Sequence, residues 1–87
     1  MEMSLSQNYP NPFNAQTKIR YSLSEQSDVT IEIYDLLGRK IESINDSDKS
    51  AGEHQLIWDA NNHPSGVYFY RIQAGEYAET KKMVLLR

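Results

Sequence analysis

Lys18–Lys40 reads KIRYSLSEQSDVTIEIYDLLGRK, and its apolar positions recur at every second residue. Ile19, Tyr21 and Leu23 fall on one side, with Lys18, Arg20 and Ser22 on the other. After the turn-rich SEQSD, Val29, Ile31 and Ile33 alternate in the same way with Thr30, Glu32 and Tyr34. Successive side chains of a strand point to opposite faces, whereas a helix brings an apolar residue back only every three or four positions. The pattern therefore predicts two half-buried strands. DLLGRK follows, with Gly38 where a positive φ costs least, and Ile41 and Ile44 then resume a short apolar rhythm. This is a hairpin into a third strand.

The reading extends outward from there. NDSDKSAGE, from Asn45 to Glu53, is expected to be a solvated loop, and HQLIWDA a fourth strand with His54, Leu56 and Trp58 on one face. NNHPSG breaks the chain again. GVYFYRIQA and AETKKMVLLR then flank the tight turn AGEY and form a last hairpin. No segment has helical periodicity, and about six to seven short strands at even spacing imply an all-β fold, a small antiparallel sandwich. Only Gln7–Asn14, QNYPNPFN, does not alternate. Pro10 and Pro12 have no amide hydrogen, which suits a sheet edge or the surface. We expect Tyr9, Pro10, Asn11, Pro12 and Phe13 to form an extended clamp fastened by its two rings, with Asn8, Asn11 and Asn14 bonding local backbone. Residues 1–4 read as a linker remnant and 5–87 as one domain.

Composition narrows the function. Eighty-seven residues, 39% hydrophobic and 24% charged, suffice for one domain with a modest core. A net charge of -3 argues against nucleic acid, which selects a basic face. No apolar run approaches the roughly 20 residues that cross a bilayer, so no membrane insertion is expected. The absence of cysteine removes disulfides, thiol nucleophiles and thiolate metal sites. Met-Glu-Met-Ser at the start lacks the charged-then-apolar organisation of a signal peptide.

Catalytic chemistry finds little support. His54 reads as a strand residue at the rim and His63, beside Pro64, as part of a solvated turn. Asp46 and Asp48 could offer oxygen to calcium, but the twelve-residue loop spacing and its terminal Glu are missing. Asn45 matches a glycosylation triplet that arises often by chance. The four glycines are scattered through turns and build no phosphate loop. We therefore read the chain as non-enzymatic, with no cofactor and no metal. Tyr68, Phe69 and Tyr70 cannot all point inward, so one ring covers an edge, packs on the Tyr9–Phe13 segment, or offers a platform to sugars.

LSQNYPNPFNAQTKIRYSL, VTIEIYDLLGRKI, AGEHQLIWDA and SGVYFYRIQAGEYAETKKMVLLR, in that order, resemble the type A C-terminal sorting domain of the type IX (Por) secretion system of Bacteroidetes-like bacteria. They also resemble the Ig-like domain of flagellar hook-cap proteins. The resemblance runs from Leu5 to Arg87 and departs at Ala15, where the family often has proline. It implies an Ig-like sandwich forming the last module of a longer exported protein, carried with its cargo into the periplasm. The partners it implies are an N-terminally attached cargo domain, an outer-membrane translocon and a sortase-like protease. The cargo would reach the cell surface or medium, anchored to lipopolysaccharide or released. Gly66, Tyr68, Arg71, Lys81, Lys82 and Arg87, in the terminal hairpin and its basic end, are the recognition candidates. The alternative is an accessory carbohydrate-binding or structural Ig-like module on a secreted hydrolase. Placement at the extreme C-terminus, with KKMVLLR last, suits the signal.

Overall fold

The computed structural model describes residues 2–87; Met1 of the expected linker remnant lies outside them. Seven strands follow one another: β1 (Ser4–Leu5), β2 (Gln16–Leu23), β3 (Ser27–Asp35), β4 (Lys40–Lys49), β5 (Gly52–Asp59), β6 (Gly66–Ala74) and β7 (Tyr77–Leu85). They form two antiparallel sheets, ordered β1-β2-β5 and β4-β3-β6-β7. The alternation read from the sequence sets which side chains meet between them. Ile19, Tyr21 and Leu23 from β2, Val29, Ile31 and Ile33 from β3, and Tyr68, Tyr70 and Ile72 from β6 are all buried in one core. Phe69, between two inward tyrosines, faces out and is half-buried. The connection after β6 is two residues, Gly75 and Glu76, with Gly75 at φ 60, as a twist-matched hairpin turn requires.

One expectation is corrected. Asn45–Glu53 is not a loop: β4 runs to Lys49, β5 starts at Gly52, and only Ser50 and Ala51 connect them across the sheets. The segment reads as loop because it is an edge strand with polar side chains in water. Val29 still pairs with Asp46 and Ser27 with Lys49 across a bulge, Thr30 Oγ1 bonds Asn45 Oδ1 at 3.0 Å, and Asp48 N–H donates to Asp28 Oδ1 at 2.7 Å. Charges and a bulge on an edge discourage pairing with another chain. At the start of the chain Ser4 pairs with Ser22 and Met3 packs against the core.

The Asn-Pro segment is a strap between the two sheets. From Ser4 to Tyr9 the chain follows the edge of β2, through Ser6 N–H to Arg20 O at 2.9 Å and a reciprocal pair between Tyr9 and Lys18. Both X–Pro bonds are cis, and the chain bends instead of staying extended. It then joins β7 of the other sheet: Phe13 N–H donates to Val84 O at 2.9 Å and Leu86 N–H to Phe13 O at 2.8 Å. Phe13 is buried, with its ring 5.8 Å from that of Trp58. Tyr9 corrects the clamp, because its side chain is 78% exposed and only its backbone holds the sheet.

The fasteners are Tyr70 and two asparagines. The Tyr70 hydroxyl donates to Ser6 O at 2.7 Å and accepts from Asn8 N–H at 2.8 Å. Buried Asn8 donates to Pro10 O at 3.1 Å and Thr17 Oγ1 at 2.9 Å, and Asn11 Oδ1 accepts from Val84 N–H at 3.0 Å. Asn8 thus bonds locally as expected, while Asn11 reaches across to β7.

Burial raises the Tyr70 hydroxyl to about 12, and burial with a hydrogen bond to Glu79 does the same for Tyr77. In the unfolded chain these hydroxyls ionise near 10. Between those values the folded chain binds more protons than the unfolded one, so their contribution is complete below pH 10 and falls as pH rises toward 12. We expect denaturant midpoints to fall across that window, by at most about 1.4 kcal/mol per pH unit for each group. Tyr70→Phe, less stable at neutral pH, should show a shallower decline. Parallel profiles for parent and variant would remove Tyr70 from this account.

Candidate functional site

The β6–β7 hairpin carries the recognition candidates, and its alternation separates them. Gly66 opens β6 opposite Leu85. Tyr68 is buried, donates its hydroxyl to Pro64 O at 2.6 Å and packs on Trp58, so it shapes the core and offers no surface. Arg71 lies on the outer face of the sheet, 3.7 Å from Glu32 and bonded to Gln73 at 2.9 Å. Lys81 shares the inward side of β7 with Met83 and pairs with Glu79 at 3.3 Å. Lys82 is exposed on the outer face. Arg87 turns back, its backbone N–H bonding Ser65 Oγ at 3.0 Å and its guanidinium the carbonyl of Ala60.

The single basic cluster expected from Arg71, Lys81 and Lys82 is therefore not assembled. The strand period sends the adjacent lysines to opposite faces, and Arg71 faces a carboxylate. Glu32 is the hub of that outer face. It accepts from Lys40 Nζ at 3.1 Å and from the Tyr34 hydroxyl at 2.9 Å, which hold its carboxyl below the ordinary range and push the Tyr34 hydroxyl up.

Charge is instead divided along the 37 Å long axis. Around the connections that follow β2, β4 and β6 stand exposed Glu25, Asp28, Asp48, Glu53 and Glu76. β1 joins β2 at this same end, through Ser4 and Ser22. At the other end, where β7 finishes, Arg39, Lys40, Lys82 and Arg87 are exposed, with Asp59 the exposed carboxylate among them. Sequence reading missed this division because it depends on which turns share an end.

The remaining chemical candidates stay dispersed. His54 stacks on Tyr21 at 5.4 Å and bonds Ser50 O at 2.7 Å. His63 is not simply solvated, since its ring lies 5.6 Å from Trp58 and 6.2 Å from Tyr68. Among the described residues no group of three His, Cys, Asp or Glu side chains is placed to hold a metal ion.

The sequence profile described as the secretion system C-terminal sorting domain matches residues 7–86. The chain belongs to that family. As a type IX sorting domain it is the signal that directs an attached cargo protein through the secretion system. Such a signal is read by secretion machinery, and its cargo is delivered across the outer membrane to the cell surface or medium. Among solved structures, the sorting domain is similar to dimeric latent PorU from Porphyromonas gingivalis, with a TM-score of 0.76 and 21% identity over 99% of this chain. It spans 10% of that protein, and the likeness is one of fold. No curated protein sequence matches the chain.

Proposed function

We propose that the domain acts as a folded, non-catalytic address label on an N-terminally attached cargo, read by an outer-membrane translocon and removed by a sortase-like protease. The family match over residues 7–86 carries this reading. The geometry supports it. Cargo attached ahead of β1 would sit at the acidic end, with β7 finishing toward the opposite end of the 37 Å long axis. Gly66, Lys82 and Arg87 lie toward that opposite end, beside the strap of Tyr9 to Phe13 that keeps β7 in place. Arg71 and Lys81 flank it from the two faces of the hairpin.

A reporter carrying a periplasmic export signal and this domain at its C-terminus should reach the surface or medium of a host with a type IX system. Lys81, Lys82 and Arg87 together changed to glutamine should lower the melting point by only a few degrees, because the ion pair of Lys81 with Glu79 contributes at most about 1 kcal/mol and Arg87, though it gives up its guanidinium bond to Ala60, keeps its backbone bond to Ser65. Export of that variant should fall. Periplasmic retention of the folded parent fusion would remove sorting as the function, and parental export of the glutamine variant would remove the basic end as its readout.

A further inference from the structure

The turn between β3 and β4, DLLGRK, owes its shape to two of its residues. The Asp35 carboxylate accepts from Leu37 N–H and Arg39 N–H at 2.9 Å each and from Arg39 Nε at 2.8 Å, while Gly38 takes φ 82. Asp35 N–H to Arg39 O and Gly38 N–H to Asp35 O close the loop at 2.9 and 3.0 Å. The side chains of Leu36 and Leu37 take no part in this framework, and the two residues stand 65% and 77% exposed. With Pro64–Val67 they wall an open groove of about 240 Å³. The apolar surface continues over half-buried Val67 and its partner Val84, and Leu86 beyond β7 is 56% exposed.

Cations are in excess around this surface: Arg39 and Lys40 are paired with Asp35 and Glu32, whereas exposed Lys82 and Arg87 make no ion pair among the described residues, against one exposed carboxylate at this end, Asp59. An exposed apolar patch on a small domain marks an interaction site, and its charged border selects the partner's sign. We propose that the β3–β4 turn and the groove behind it are a docking surface for an acidic protein partner, which seats an apolar side chain between Leu36, Leu37 and Val67. This rests on the sorting reading, with the partner a component of the secretion machinery. The framework around Asp35 and Gly38 holds the leucines ready, so little ordering accompanies docking.

The reporter fusion tests it in the exporting host. Leu36→Ser with Leu37→Ser should lower export roughly tenfold or more without changing the melting point. Tyr9→Ser with Ile57→Ser, which strips the other exposed apolar pair, should export like the parent. A photoreactive benzoylphenylalanine at position 37 should form an adduct with a surface rich in Asp and Glu on a secretion component. Parental export of the leucine variant, no adduct during active export, or an adduct with lipid, a basic surface or a second copy of the chain overturns the docking surface alone. A parent fusion that is not exported overturns the sorting reading, and this surface with it.

Discussion

Trp58→Ala is expected to cost about 3–5 kcal/mol, the usual range for truncating a buried ring. Trp58 is fully enclosed, and its ring lies 5.8 Å from Phe13, 5.7 Å from Tyr68 and 5.6 Å from His63. It is also where three parts of the chain meet, because Phe13 comes from the strap and Tyr68 from the hairpin, while Trp58 Nε1 donates to Glu42 Oε1 of β4 at 3.0 Å. Alanine leaves a cavity between the sheets and a carboxylate without its donor. Against a total of about 5–15 kcal/mol for a typical domain, little stability would remain. The melting point should drop by roughly 12 °C or more. Trp58→Phe, which keeps most of the apolar volume and loses the indole N–H, should fall between. An alanine variant melting within a few degrees of the parent would contradict this placement of the ring.

Legibility in the sequence followed the physical origin of each feature. Strands with one buried face declare themselves by period, and β2, β3, β5, β6 and β7 lie where alternation put them, with Trp58 inward and Phe69 outward. β4 was only half legible. Its far half, Asn45–Lys49, is an edge whose pairing comes from backbone and whose side chains look like those of a loop. The strap was recognisable as an edge segment from its prolines, but its fastening was not, since Tyr70 and Val84 are far from it in sequence. Adjacent Lys81 and Lys82 were separable by parity alone. The pairing of Arg71 with Glu32, and the gathering of cations about Leu36 and Leu37, depend on which strand lies beside which, and no local pattern encodes that.

Deleting Met83–Arg87 should abolish the cooperative fold, and with it export of any fused cargo. Met83 and Leu85 are fully buried, so their removal takes two large side chains from a thin core, each such loss costing about 2–5 kcal/mol. The same five residues anchor the strap: Val84 O and Leu86 N–H hold the backbone of Phe13, and Val84 N–H holds Asn11. Phe13 would lose its seat against Trp58, and Gly66, Val67 and Tyr68 of β6 would lose their β7 partners. These losses share one neighbourhood and reinforce one another, so the shortened chain should show no sigmoidal melt and should be degraded readily by protease. Lys82→Gln with Arg87→Gln supplies the contrast, because it keeps every apolar contact and backbone bond of this end while removing its charge. If the deleted chain still melted cooperatively near the parental temperature, β7 would be an appendage to the sandwich, and its close packing with the strap would not be what holds the two sheets together.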